Sequence, residues 1–375
     1  MRNLVLIVAS FCVTIVGWGL YVPMLRWGQV DMSLTGVPAR WRPFVCVGLA
    51  YFLIGVIVPV VLLKLRGERG AWTITGIIYS LLGGTLGALG ALGIILAINF
   101  GGNPIYVAPL VFGSAPVVNS FLTIYLAGKM RDIGPLFLAG LVMVTLGAVT
   151  VLVFAPHKKG QPPAATVAAE AAPAPADATA AAPVRQPGNK ASRFVLQLLS
   201  VAMVALCWGS YGPTLHKGQA AMMHSRLRPL LCVGLAYFAI AVLVPNLLLI
   251  GVVDEASRFT WSGTTWSLLA GAAGAVGALG IIMAFNFGGR PVYVMPLVFG
   301  GAPVVATLTS TVSDDLLGDL GPMFLAGLIL VIAGSAMVLV FAPKGHAPAP
   351  VAAPAAPTPQ SHPPAEVPAK DGAGI

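Results

Sequence analysis

Two clusters of aromatic and polar residues carry side chains suited to binding a small, weakly polar ligand. The clusters match each other, because "WGLYVPMLRWGQ" from Trp18 resembles "WGSYGPTLHKGQ" from Trp208. The candidate substrate-binding residues in them are Trp18, Tyr21, Trp208, Ser210 and Tyr211. Indole and phenol rings stack on flat ligands while their N–H and O–H groups form hydrogen bonds. A sugar, nucleobase or amino acid would fit this chemistry, but aromatics near span ends also form ordinary interfacial belts, and both interpretations stay open.

Further hydrogen-bonding groups occur in a second pair of matching segments. These are "NFGGNPIYVAPLVFGSAPVV" from Asn99 and "NFGGRPVYVMPLVFGGAPVV" from Asn286. The candidate substrate-binding residues within or directly after them are Asn99, Tyr106, Asn119, Asn286 and Tyr293. A buried asparagine more often ties helices together than binds a substrate, so both roles are kept for these side chains.

Glycine and proline interrupt the same two segments at corresponding positions. An interior proline removes an amide donor and leaves a carbonyl for another helix, water or a ligand to satisfy. The Gly-Gly pairs predict hairpin turns, and the prolines predict either cavity-lining helices or kinked packing helices. The predicted helix-break or hinge residues are Gly101, Gly102, Pro109, Pro116, Gly288, Gly289, Pro296 and Pro303.

The apolar segments contain few groups that could carry acid–base or metal chemistry. All twelve Asp and Glu residues lie in predicted loops, linker or tail, and no Lys, Arg or His lies in the middle of a span. The four cysteines have neither paired spacing nor metal-ligand companions. We therefore expect no enzyme, no cofactor, no metal site and no carboxylate carrier for proton coupling. Coupling through His216, Lys217 or Arg290 at helix ends stays open.

Membrane-spanning helices are the elements that would position these residues. The 375 residues are 57% hydrophobic and 9% charged, against about 25% charged in a soluble domain. The net charge of +9 is spread over loops and tails, which excludes a single nucleic-acid-binding face. A bilayer core about 30 Å thick needs a helix of roughly 20 apolar residues. Runs of that kind occupy 3–22, 43–64, 72–98, 104–127, 134–155, 194–213, 229–251, 263–287, 291–313 and 321–342.

The ten runs are two copies of a five-helix unit. Residues 87–118 and 274–305 are identical at 25 of 32 positions, and "CVGLAYF" recurs intact from Cys46 and Cys232. Because five is odd, the second copy enters the bilayer from the opposite side, so the sequence predicts inverted repeats. The internal copy also indicates that residues 1–22 form a retained helix instead of a signal peptide. The predicted domains are repeat 1 (1–156), an Ala/Pro-rich disordered linker (157–193), repeat 2 (194–343) and a similar disordered tail (344–375).

The chain resembles the drug/metabolite transporter superfamily, in its ten-helix EamA-like type. The resemblance is clearest in "PLVFGSAPVVNSFLTIYLAGKMRDIGPLFLAGL" from Pro109 and "PLVFGGAPVVATLTSTVSDDLLGDLGPMFLAGL" from Pro296. These look like that family's proline-bearing fourth helix, short loop and Gly-rich fifth helix. The "WGxYxPxLxxGQ" segments look more like the sugar and ureide uptake branches. The resemblance implies a central cavity between two bundles, with the fifth and tenth helices at the periphery.

The first hypothesis is therefore an all-α integral membrane protein of ten transmembrane helices that acts as an alternating-access permease. Its partners would be the lipid bilayer of the cytoplasmic (inner) membrane and a small polar metabolite such as a sugar, nucleoside, ureide or amino acid, with no nucleic acid. Loop charge favours cytoplasmic termini, and a homodimer is left open. The alternatives are a metabolite or drug exporter, and a non-transporting membrane scaffold or partner subunit. A filled bundle centre with Trp18 and Trp208 facing lipid would favour the scaffold or partner subunit.

Overall fold

The structure is a computed structural model that describes residues 2–126, 128–156, 189–251, 253–287 and 291–343, and their side chains except at 2–3, 66, 285–286 and 291–296. Within these residues the regular structure is helical, apart from an isolated bridge between Ser33 and Ser257. Eight helices are continuous: α1 (Arg2–Asp31), α3 (Ile74–Asn99), α4 (Pro104–Leu126), α5 (Pro135–Val153), α6 (Lys190–Ala221), α8 (Trp261–Asn286), α9 (Pro291–Ser313) and α10 (Pro322–Phe341).

Two further helices contain a π-helical turn at the same place in each half of the chain. Helix α2 comprises Trp41–Phe52, the π turn Leu53–Ile57 and Val58–Arg66, and α7 comprises Leu227–Tyr237, the π turn Phe238–Leu243 and Val244–Gly251. The recurring "CVGLAYF" ends at Phe52, just before the first π turn, and at Phe238, the first residue of the second π turn. A π turn widens the helix locally and is frequent at functional positions.

Nine of these helices, within the part of the chain that the structure describes, are long and apolar enough to cross a membrane. In α9 the apolar stretch within the described side chains is Leu297–Ser313. The prediction of an α-helical, multi-pass membrane protein is therefore confirmed at this level. The predicted linker and tail lie mostly outside the described residues, but helix α6 already begins at Lys190, so residues 190–193 are helical and not linker.

The first helix of each half is longer than the sequence predicted. Helix α1 continues past Val22 to Asp31 and contains Pro23, and α6 continues past Pro213 to Ala221. Proline is tolerated within such helices when neighbouring groups satisfy the backbone. The extension of α1 also places Gln29 inside the protein, where its amide donates to Ala39 O at 2.7 Å and to Ile95 O at 3.1 Å.

Helices of one half pack mainly on helices of the other. Helix α1 packs on α8 and α9, α6 packs on α3 and α4, α2 packs on α7, and α5 packs on α10. Glycines bring the backbones together, as small residues do in lipid. An added Cβ at Gly55 would lie 3.1 Å from Gly234 Cα, and one at Gly140 would lie 3.0 Å from Gly334 O. The core is thus shared between the halves.

Two glutamates cap helices of the opposite half. Glu255, after α7, accepts hydrogen bonds from the backbone N–H groups of Arg40 (2.6 Å) and Trp41 (3.3 Å) at the start of α2. Glu68, after α2, accepts from Arg226 N (2.9 Å) and Leu227 N (3.2 Å) at the start of α7. Each carboxylate satisfies orphan donors and lies at the positive end of a helix dipole.

The two ends of the bundle are held differently. At one end Arg26 Nη1 lies 2.6 Å from Asp314 Oδ2, and Asn103 Nδ2 donates to the same oxygen at 3.2 Å. Trp27 Nε1 also donates to Ser313 Oγ at 3.0 Å. We call this the Asp314 end; it joins the last turns of α1 and α9 to the α3–α4 turn. The opposite end, where Glu68 caps α7, is called the Glu68 end.

Candidate functional site

The two predicted tryptophans form equivalent contacts near the middle of the bundle. Trp18 Nε1 donates to Gly274 O at 3.2 Å, and Trp208 Nε1 donates to Gly87 O at 3.2 Å. Trp18 lies near the middle of the span Leu4–Asp31, and not near its end as the sequence indicated. Both indoles are half-buried and pack against the core. The interfacial-belt interpretation and the lipid-facing tryptophans expected of a scaffold do not fit this placement, but side chains fill the centre between the two indoles, as the scaffold alternative also expected.

Aromatic rings connect the two tryptophans through the centre. Trp18 packs on Phe299 with ring centroids 6.3 Å apart, Trp208 packs on Phe112 at 6.0 Å, and the two phenylalanines lie 6.4 Å from each other. Tyr21 meets Trp208 edge-on at 6.2 Å. We call this set, together with the tyrosines of the next paragraph, the aromatic centre.

Two tyrosines that were not predicted as site residues complete the aromatic centre. Tyr51 and Tyr237 stack with ring centroids 3.7 Å apart and an interplanar angle of 1°. An added Cβ at Gly274 would lie 2.8 Å from the Tyr51 hydroxyl, and one at Gly87 would lie 3.1 Å from the Tyr237 hydroxyl. Both residues belong to the intact "CVGLAYF" repeat. That recurrence was the signal that could have identified them.

The phenol of Tyr21 is sealed inside the aromatic centre without a hydrogen-bond partner. Its side chain is 4% exposed, and its hydroxyl oxygen contacts no described donor or acceptor. Its repeat mate Tyr211 is half-buried and packs against the same core. A buried hydroxyl without a partner costs stability. This phenol is therefore an unsatisfied hydrogen-bonding group at the centre of the bundle.

The other predicted side chains serve mainly as ties between segments. Asn99 Nδ2 donates to Pro38 O at 2.6 Å. Tyr106 Oη donates to Gly101 O at 3.3 Å and accepts from Gln197 Nε2 at 3.2 Å. These two residues are thus brought to the Asp314 end and not to the aromatic centre.

Three predicted residues lie along the contact between α4 and α6. Asn119 and Ser210 are half-buried, as is Tyr211 on the same helix as Ser210. Asn119 Oδ1 would lie 3.4 Å from a Cβ added at Gly212. The structure therefore brings Asn119 beside the Ser210–Tyr211 segment, although the two are distant in sequence.

The predicted helix breaks have different outcomes in the described residues. Gly101 and Gly102 form the α3–α4 turn, in which Gly101 has a φ of +101°, a conformation that favours glycine. Helix α4 runs through Pro109 and Pro116 without ending, so these prolines do not break it. Pro303 likewise lies within α9. Gly288 and Gly289, and the side chains of Asn286, Tyr293 and Pro296, lie outside what the structure describes.

The described residues form neither a cluster of metal-ligating side chains nor a disulfide bond. No three His, Cys, Asp or Glu side chains among them lie close enough to hold a metal ion. The four cysteines are free thiols, of which Cys12 is exposed and Cys46, Cys207 and Cys232 are buried. The charged caps and the Arg26–Asp314 pair were not predicted as structural partners, because their members lie far apart in sequence.

Comparisons with known proteins show a fold relationship. No family model matches the chain, and neither does any curated protein. Nine solved chains match its structure. One, described as "Crystal structure of protein", is 17% identical with a TM-score of 0.51, and the match covers 89% of this chain and 97% of that one. The chain is therefore an α-helical protein with many apolar helices whose overall fold is shared with a solved structure.

Proposed function

We propose that the protein is a secondary transporter, an alternating-access permease that moves a small polar metabolite across the cytoplasmic membrane. The proposal includes membership of the drug/metabolite transporter superfamily and a bundle of two inverted five-helix repeats. The single observation that carries it is the aromatic centre: two matched indoles and three tyrosines meet midway along the spans, between the two halves.

Contacts between helix ends support the inverted arrangement. The last turn of α1 meets the last turn of α9 through Arg26 and Asp314, and the α7–α8 loop caps the start of α2 through Glu255. At the opposite end, Thr73 at the start of α3 donates to Ala221 O at the end of α6. These contacts support the proposal that corresponding helices of the two halves run in opposite directions along the bundle.

The chemistry of the aromatic centre supports a polar substrate that is not strongly charged. Its polar atoms are indole N–H and phenol O–H groups, and no ionisable carboxylate, ammonium or guanidinium belongs to it among the described side chains. Rings of this kind stack on a flat ligand while their polar edges orient it. Discontinuous or polar sites near the midplane between repeats are the usual sites of secondary transporters.

A ligand screen with the Tyr21→Phe variant tests the proposal. A ligand that binds only the folded state raises its stability, so we expect one member of a panel of sugars, nucleosides, ureides and amino acids to raise the melting temperature in detergent. Tyr21→Phe should raise the free energy of unfolding of the ligand-free protein by about 1 kcal/mol, because it removes an orphan hydroxyl. The same substitution should weaken the response to the ligand.

Tyr106→Phe is the matched control. Its hydroxyl has two partners, so its loss should destabilise the protein by about 1 kcal/mol and leave the ligand response in place. The active ligand should then be taken up by proteoliposomes containing the protein. A panel without any stabilising ligand, together with proteoliposomes that take up none of its members, would favour the scaffold hypothesis and contradict the permease.

A further inference from the structure

Matched residues of the first helix of each half differ in burial. On α1, Tyr21 is 4% exposed and both Val22 and Leu25 are fully buried. Their repeat mates on α6 are Tyr211 and Leu215, which are half-buried, and Gly212, which is exposed. Helix α1 is therefore sealed toward the Asp314 end, whereas α6 is more open toward the Glu68 end.

The partner helices show the same difference. On α9, which packs on α1, Ala306 and Ser310 are buried at 0% and 3% exposure. Their mates on α4, which packs on α6, are the half-buried Asn119 and the exposed Thr123. At these positions the seam between α1 and α9 is thus tight and the seam between α4 and α6 is loose.

Nearer the centre both seams are equally close, because a Cβ added at Gly19 or Gly209 would lie 2.5 Å from the Cβ of Val305 or Val118. An open groove beside Trp27, Leu308 and Val312 lies along the tight seam.

An ion pair joins the two helices of the tight seam at its end, and no described pair does the same at the loose seam. Arg26 pairs with Asp314 across the α1–α9 seam. The mate of Arg26 on α6 is His216, which is exposed, and the mate of Trp27 is Lys217, also exposed, whose ammonium lies over the Tyr79 ring of α3. Among described atoms, only Asn119 Oδ1 comes within 4 Å of a Cβ added at Gly212.

The residue types follow the same division. The loose seam carries Asn119 on α4 and Ser210 and Thr214 on α6. The corresponding residues of the tight seam are Ala306, Leu20 and Met24. Polar side chains and exposed backbone are costly against lipid and are tolerated where they line a water-filled space. At these three matched positions looser packing and polar side chains coincide, whereas the polar residues Thr307, Ser310 and Thr311 of α9 are buried.

We infer that the α4–α6 seam is a polar ligand path that is open toward the Glu68 end, while the Arg26–Asp314 pair closes the matching path at the Asp314 end. The inference rests on the proposed function and names its route. The path presents the amide of Asn119 and the hydroxyl groups of Ser210 and Thr214, all of which are uncharged. It is suited to an uncharged polar solute that exchanges hydrogen bonds with water for hydrogen bonds with these groups.

Single cysteines at matched positions test the path without any ligand. Gly212→Cys and its mate Val22→Cys, and Asn119→Cys and its mate Ala306→Cys, are made with Cys12→Ser, since the other native cysteines are buried. In proteoliposomes, a membrane-impermeant, uncharged polar thiol reagent should modify the two α4–α6 positions at least about ten times faster than their mates. A position exposed only in a minor conformation is reachable for a small fraction of the time. Equal rates within both pairs would overturn the inference, and the second pair keeps the test valid if one variant misfolds.

Opening the closed end is the second arm of the test. Asp314→Asn removes the charge partner of Arg26, so it should raise the reaction rate of Val22→Cys severalfold. Asp132→Asn, which breaks the exposed Lys129–Asp132 pair, is the control and should leave that rate unchanged. If Asp314→Asn has no effect, the ion pair does not close the path. These rates are measured without substrate, so a failed ligand screen would count against the permease and not against the accessible path.

Discussion

Replacing Glu255 with alanine is expected to lower the free energy of unfolding by about 3 kcal/mol. The carboxylate is 6% exposed and accepts hydrogen bonds from Arg40 N, Trp41 N and Ser257 Oγ, and it lies 3.6 Å from Arg40 Nε and 3.8 Å from Arg42 Nη1. Removing one member of such a buried group leaves the others without their partner, which costs about 3–5 kcal/mol. Both arginines still reach water, so we place the effect at the lower limit.

Thermal unfolding in detergent checks this expectation against two other variants. Glu68→Ala removes the equivalent cap from α7 and should have a similar effect, because that carboxylate is bound by Ser225, Arg226 and Arg228 in the same way. Asp132→Ala breaks an exposed pair and should cost at most about 1 kcal/mol. If Glu255→Ala and Asp132→Ala melt at the same temperature, the cap does not stabilise the bundle.

Adjacent glycines of α3 are expected to respond oppositely to alanine. A Cβ at Gly84 would lie 2.7 Å from Val233 Cα and 3.0 Å from Val233 O, both backbone atoms of α7. Backbone cannot rotate away as a side chain can, so Gly84→Ala must push α3 and α7 apart. Overpacking of this kind costs about 1–3 kcal/mol. The variant should also weaken ligand binding, since α7 carries Tyr237 of the aromatic centre.

Gly83→Ala supplies the control in the neighbouring position. Its nearest contact would be Leu215 Cβ at 3.5 Å, an ordinary van der Waals distance. The second half already has alanine there, at Ala270, while the mate of Gly84 remains glycine, Gly271. We expect Gly83→Ala to be neutral or to stabilise the helix by up to about 1 kcal/mol. Equal destabilisation by both substitutions would mean that loss of glycine itself, and not the α3–α7 contact, sets the cost.

The sequence predicted the helices well because their main signal is local. Apolar runs of membrane length and a recurring motif are visible in a window of about 20 residues, and the helical, multi-pass character was confirmed. The length of α1 was not predictable in the same way. Arg26 and Gln29 look like the end of an apolar run, but Asp314, Ala39 O and Ile95 O satisfy them within the protein.

The candidate site was predicted in part for the same reason. Trp18 and Trp208 were identified by residue type and recurrence, whereas their hydrogen-bond acceptors, Gly274 O and Gly87 O, are backbone atoms of distant helices. Tyr51 was overlooked because a tyrosine inside an apolar run is ordinary by composition. Its partner Tyr237 becomes evident only when α2 and α7 are packed together.

The stack of Tyr51 on Tyr237 has a consequence for how this chain can change. The two residues occupy the same place in their repeats, so each meets its own counterpart, as a residue on the axis of a two-fold dimer does across an isologous interface. Replacing one tyrosine with a smaller residue leaves a gap beside the other ring, which cannot move to fill it. The second substitution then costs less than the first, because the shared contact has already been lost. These two tyrosines are therefore energetically one unit, although the chain encodes them 186 positions apart.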